Sequence, residues 1–180
     1  MRGFGSSVDA PGNRMKRLAL SIDALGAKDE KSLRRTREIE AVRVAAAVEL
    51  HDICRAFVSS LNRLLSNTAV ALDPEQFSAA AFQVEAINLV QVSVRGRILQ
   101  VAFSAPPELL STEDFRVPYT LAGSIRAFNQ ELLEKEIIEE QLIFYTVENE
   151  TKMWRYFDPR TYRSGKFDQE YLVSVMEQLI

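Results

Sequence analysis

The chain has one cysteine, one histidine and one tryptophan in 180 residues, and each scarcity removes a class of function. A lone Cys54 cannot close an internal disulfide, so nothing argues for an oxidising compartment and the cytoplasm is the expected location. His51 is the only imidazole and lies three residues before Cys54, a helical spacing that makes the two neighbours. No other soft ligand exists to complete a zinc or iron shell, and both residues flank the apolar positions Leu50, Ile53 and Phe57. They are therefore expected as packing residues, with no metal and no cofactor. Glycine is equally sparse. Gly3 and Gly5 lie near the start and the others are scattered singly, which excludes a glycine-rich phosphate cradle.

No apolar run reaches the roughly 20 residues needed to span a bilayer. Leu18 to Leu25 is short and broken by Asp23, a poor secretory core. Residues 1–29 are expected as a flexible tail, given Gly3, Gly5, Ser6, Ser7, Pro11, Gly12 and Asn13. A transit peptide also fits the excess of Arg2, Arg14, Lys16 and Arg17 over Asp9 in the first twenty residues. The net charge of −3 makes a general polyanion binder unexpected, so any charged partner must be met locally.

What is present is a large apolar fraction, 47% of the chain, enough for one core in a single α+β domain over 30–180. From Glu30 to about Ser66 neither proline nor glycine interrupts, and Ile39, Val42, Ala46, Leu50, Ile53, Phe57, Leu61 and Leu64 recur at spacings of three and four. That predicts a long helix whose stripe suits either a sheet or the same helix of a second subunit. Glu38, Arg43, Glu49, Arg55, Ser59 and Arg63 are expected on its solvated side. After a weak helical turn over 75–81 the period falls to two. Val84 to Val94 reads as a strand, Arg95-Gly96 as a tight turn, and Ile98 to Ser104 as its hairpin partner. Ser111 and Asp114 suit a short helical turn in the loop 105–118. A third strand runs from Thr120 to Phe128, with Gly123 marking a bulge or a close approach of another backbone.

A short helix is predicted over Gln130 to Gln141, then a second hairpin from Leu142 to Val147 and Lys152 to Phe157. Asp168 caps a final helix carrying Tyr171, Leu172, Val175, Met176 and Leu179. The expected fold is thus a long N-terminal helix, a five-stranded antiparallel sheet in the order α-β-β-β-α-β-β-α, and a C-terminal helix packed on the sheet. That order of elements resembles the small secretion-chaperone fold, in which helices flank a five-stranded sheet and a homodimer holds an extended client segment. The resemblance is one of fold alone and carries no residues across.

Catalysis has little to stand on. Glu131, Glu134, Glu136, Glu139 and Glu140 are dense enough for paired-carboxylate chemistry, but such a run is ordinarily a solvated face. The segment that stands apart is 152–167, where Lys152, Arg155, Arg160, Arg163 and Lys166 interleave with Trp154, Tyr156, Phe157, Tyr162 and Phe167 against one acid, Asp158. Cations among aromatics suit single-stranded nucleic acid or another polyanion, since bases stack on rings while arginine meets phosphate. Strand alternation puts Trp154 and Tyr156 on one face and Arg155 and Phe157 on the other, so one set of rings must be core. Trp154, Arg155, Arg160, Tyr162, Arg163 and Lys166 are the candidate partner-binding residues. The leading expectation is a non-catalytic protein-binding adaptor or chaperone-like module that dimerises. Nucleic-acid binding through 152–167 is the alternative, and a small-molecule enzyme with a pocket between sheet and helices is a third.

Overall fold

The computed structural model describes residues 11–135 and 138–180. They form two units divided between Glu38 and Ile39. The first is the amino-terminal part of helix α1, Pro11–Leu64, and its described side chains are exposed except for the half-buried Thr36. Residues 11–29, expected as tail, are thus helical here, and 1–10 lie outside the described residues.

In the second unit the remainder of α1 meets a seven-stranded antiparallel sheet, not the five strands expected. The strands are β1 (Ala71–Asp73), β2 (Asn88–Val94), β3 (Arg97–Ser104), β4 (Tyr119–Asn129), β5 (Glu139–Glu148), β6 (Thr151–Asp158) and β7 (Arg163–Lys166). Each pairs only with its neighbours in sequence. The two unforeseen strands are the edges. Both are short, and neither carries the alternation that reveals a half-buried strand, so backbone pairing to β2 and β6 defines them. Strand β2 starts at Asn88 instead of Val84 because the Asn88 amide accepts from Gln83 N at 2.9 Å and donates to its carbonyl at 2.8 Å, closing residues 83–88 into a loop. Helix α2 is a single short turn, Gln130–Glu134, capped by Asn129. The rest of the expected helix is replaced by the start of β5, with Glu136 and Ile137 outside the described residues. Helix α3, Gln169–Glu177, follows the expected cap, Asp168 accepting from Tyr171 N at 3.1 Å.

The core lies between the helices and one face of the sheet. Ala46, Leu50, Cys54 and Phe57 of α1 and Leu172 and Met176 of α3 are buried with Val92, Val101, Phe103, Ile143 and Trp154. Of the long-helix stripe, Ala46, Leu50 and Phe57 are buried in the core of their own chain and Val42, Ile53 and Leu61 are half-buried against it, while Leu64 at its end is exposed. His51 and Cys54 are buried in the same layer. His51 meets the Pro74 carbonyl at 2.8 Å and stacks on Phe77, which ties the segment after β1 to α1. Burial pushes the Cys54 thiol up to about 12, so it stays a neutral thiol.

Arg43 corrects the sequence reading. It was expected on the solvated side, but three- and four-residue steps from Ala46 and Ala47 put it on the buried stripe, where it is 5% exposed. Its guanidinium donates to Thr120 Oγ1 at 2.9 Å and to the carbonyls of Pro106, Glu108 and Leu109 at 3.2, 2.7 and 3.4 Å. Arg43 thus fixes the loop 105–118, which contains no helical turn: Ser111 instead pairs with Tyr119 as an isolated bridge. Arg43→Met keeps the stem but strands those carbonyls, at an expected cost of about 1–3 kcal/mol. A lower urea midpoint with faster amide exchange confined to 105–118 is the expected result, and an unchanged midpoint and exchange pattern would refute it.

Candidate binding surfaces

Segment 152–167 becomes the β6–β7 hairpin, and the structure disperses its candidate residues. Trp154 points to the helices and is 1% exposed. Its Nε1 donates to the Ala46 carbonyl at 2.8 Å, and its ring meets Phe103 and Tyr145 edge-on. It is a core residue. Tyr156 shares that face and stacks on Tyr171 of α3, centroids 4.1 Å apart.

Arg155 and Phe157 lie on the opposite, helix-free face. There Phe115 of the 105–118 loop stacks on Phe144 of β5 with centroids 4.8 Å apart, and the Arg155 guanidinium sits 5.7 Å over the Phe115 ring. Arg160 lies in the β6–β7 turn, paired with Glu139 at 2.9 Å and Asp158 at 3.6 Å. Asp158 also accepts from Arg160 N and from Thr161 Oγ1, both at 2.9 Å, which shapes the turn in which Tyr162 adopts a positive φ of 56°. Tyr162, Arg163 and Lys166 are exposed. Of these three, Tyr162 meets the Phe157 ring edge-on with centroids 6.3 Å apart, and Lys166 belongs to a different feature.

That feature was not legible in the sequence. An open groove of about 1020 Å³ follows the outer side of α1, where Ala41, Ala45, Val48 and Ile53 face the corner between β7 and α3. Phe167, fully buried, lines its inner wall. Four acids, Glu49, Asp52, Asp168 and Glu170, border it together with Lys166; Asp52 is paired with Arg55 at 2.8 Å and Asp168 caps α3. Glu49 accepts from the Tyr145 hydroxyl at 3.2 Å. Burial raises its carboxyl above the ordinary glutamate range, opposed by that hydrogen bond and by the Lys166 charge. Burial and the adjacent Glu49 carboxylate push the Tyr145 phenol up to about 12. The groove is therefore apolar along its length and negative at its rim.

The helix-free sheet face is flatter. One row across it runs Leu89, Ala102, Ser124, Leu142 and Phe157, and the adjacent row Gln91, Gln100, Arg126 and Glu140. Arg126 pairs with Glu140 at 3.1 Å. The 105–118 loop covers this face around Phe144.

Among the described residues no three His, Cys, Asp or Glu side chains converge as a metal site, and no helix is long and apolar enough to cross a membrane. The arrangement is an α+β one in which a sequential antiparallel sheet is backed by helices on one face. No protein family, curated protein or solved structure matches the chain.

Proposed function

We propose that the chain is a non-catalytic protein-binding module that seats an amphipathic, cation-bearing helix of a partner in the groove along α1. The observation that supports this reading is the groove itself, apolar along about 22 Å of helix from Ala41 to Ala56 and bordered by four acids. An amphipathic helix buries its apolar stripe in such a cleft, and lysine or arginine at the edge of the stripe meets the acids. The non-catalytic part draws on His51 and Cys54, the only imidazole and thiol, which are packed inside. With Ala46, Leu50 and Phe57 of the α1 stripe buried, a homodimer would form through the groove, which includes Ile53, or through the open sheet face. The chaperone-like reading is retained only in the sense of holding a partner segment.

A designed helical peptide of leucine and lysine is a suitable probe, with its leucine and glutamate counterpart as control. The cationic peptide should bind at least tenfold more tightly by fluorescence anisotropy, and Val48→Lys, on the outer side of α1, should abolish that preference. Equal binding of both peptides, or indifference to Val48→Lys, would sink the proposal. The nucleic-acid alternative draws support only from the exposed Tyr162, Arg163 and Lys166, since Trp154 is inside and two acids hold Arg160.

A further inference from the structure

The amino-terminal part of α1 carries a second amphipathic surface that the groove does not involve. Met15, Leu18, Ile22, Leu25 and Leu33 are exposed at 56 to 69%. At 3.6 residues per turn all five fall within an arc of about 80°. Asp29 interrupts this face between Leu25 and Leu33. Arg14 and Lys28 border one side of the arc and Ala19, Gly26 and Glu30 the other, while Lys16, Lys31, Arg34 and Arg35 populate the opposite side, Arg34 paired with Glu30 at 3.7 Å. The charge is local. Residues 11–38 hold eight Lys and Arg against four Asp and Glu, whereas 39–180 hold thirteen against twenty.

We propose that the segment from Arg14 to Arg35 binds the surface of an anionic lipid bilayer, lying in the interface with Met15, Leu18, Ile22 and Leu25 toward the acyl chains. Helices of this kind combine an apolar face, low overall hydrophobicity and a cationic polar face, and they lie on a membrane instead of spanning it. Lysine and arginine stems reach from the edges of the apolar face to lipid phosphates. The charge pattern favours this occupant over two others. A coiled-coil seam needs about three to four heptads of apolar positions, and this one meets Asp29 after two. A nucleic acid would neutralise the cations but leave four large apolar side chains in water. The proposal is independent of the groove and its partner.

The test is co-sedimentation of the full chain with vesicles of phosphatidylcholine, with and without phosphatidylglycerol. The anionic vesicles should retain the protein at least tenfold better, and added salt should weaken that retention. Leu18→Glu with Ile22→Glu should remove it. Leu20→Glu, an equally exposed position on the opposite side, should leave most of it. Unchanged Trp154 emission confirms that the sheet unit is folded in each variant, and unchanged far-ultraviolet circular dichroism that the amino-terminal part of α1 is still helical. The proposal is overturned by three results. One is no retention on anionic vesicles. Another is an equal loss from the Leu20 and Ile22 substitutions. The third is absence of vesicle binding together with a dimer in light scattering that Ile22→Glu dissociates, which would assign the face to a second copy.

Discussion

Replacing Trp154 with alanine should lower the stability of the sheet unit by about 3–5 kcal/mol, the ordinary cost of deleting a large aromatic from a close-packed core. The ring is 1% exposed and lies against Phe103 and Tyr145, with centroids 5.6 and 5.5 Å away. Its Nε1 bond to the Ala46 carbonyl joins β6 to α1 in the middle of the core. Domains are stable by only about 5–15 kcal/mol, so this one change removes a large share of the total. Urea or thermal melts followed by far-ultraviolet circular dichroism are the measurement, since the variant has no other tryptophan to report. Trp154→Phe keeps an aromatic between the same neighbours and should cost less than half as much. A Trp154→Ala variant as stable as the parent would place the ring at a surface and return segment 152–167 to consideration as a stacking platform. The intact protein offers a simpler check: its tryptophan emission should be blue-shifted and poorly quenched by iodide.

Trp154 also shows how far the sequence could be read. Alternation along 152–157 required one set of rings to be buried, but not which set, because both faces offered aromatics. The tertiary contact with Ala46, more than a hundred residues earlier, decides it. Features written in local periodicity were legible: α1, the β2–β3 hairpin with its Arg95-Gly96 turn, the β5–β6 hairpin, and α3 with its Asp168 cap. Features set by distant partners were not. Strands β1 and β7 exist because an edge was available to pair with, and β7 is polar with a glycine at its centre. Arg43 reads as surface until the loop carbonyls it serves are in view. The groove draws on Ala41 to Ala56 and on Lys166 to Glu170, two segments with no common pattern in the chain. For the same reason Glu49 at its rim read as solvated charge and Asp168 only as a helix cap.

Gly123→Ala should be at least as damaging as loss of the tryptophan, although it adds a single methyl group. Gly123 pairs with Phe103 of β3 and Ile143 of β5 in the middle of the sheet. A Cβ built there falls on the Ala102 carbonyl oxygen and comes within 2.7 Å of Phe103 Cα. Those obstacles are backbone, so no rotamer change relieves them; β3 and β4 would have to part, breaking ladder hydrogen bonds above Val101, Phe103 and Ile125. This is the close backbone approach that an isolated strand glycine announces. Overpacking typically costs about 1–3 kcal/mol where side chains can adjust, and more where they cannot. The expected outcome is therefore a chain that expresses poorly or melts far below the parent, with loss of the near-ultraviolet signal of the Trp154 cluster. Gly26→Ala is the matched control: it makes the same chemical change in α1 with nothing within 4 Å, and should leave the sheet unit's melt unchanged or add up to about 1 kcal/mol of helix stability. Equal melts for the two variants would mean that β3 and β4 are not packed this closely, and the register carrying both faces of the sheet would have to be redrawn.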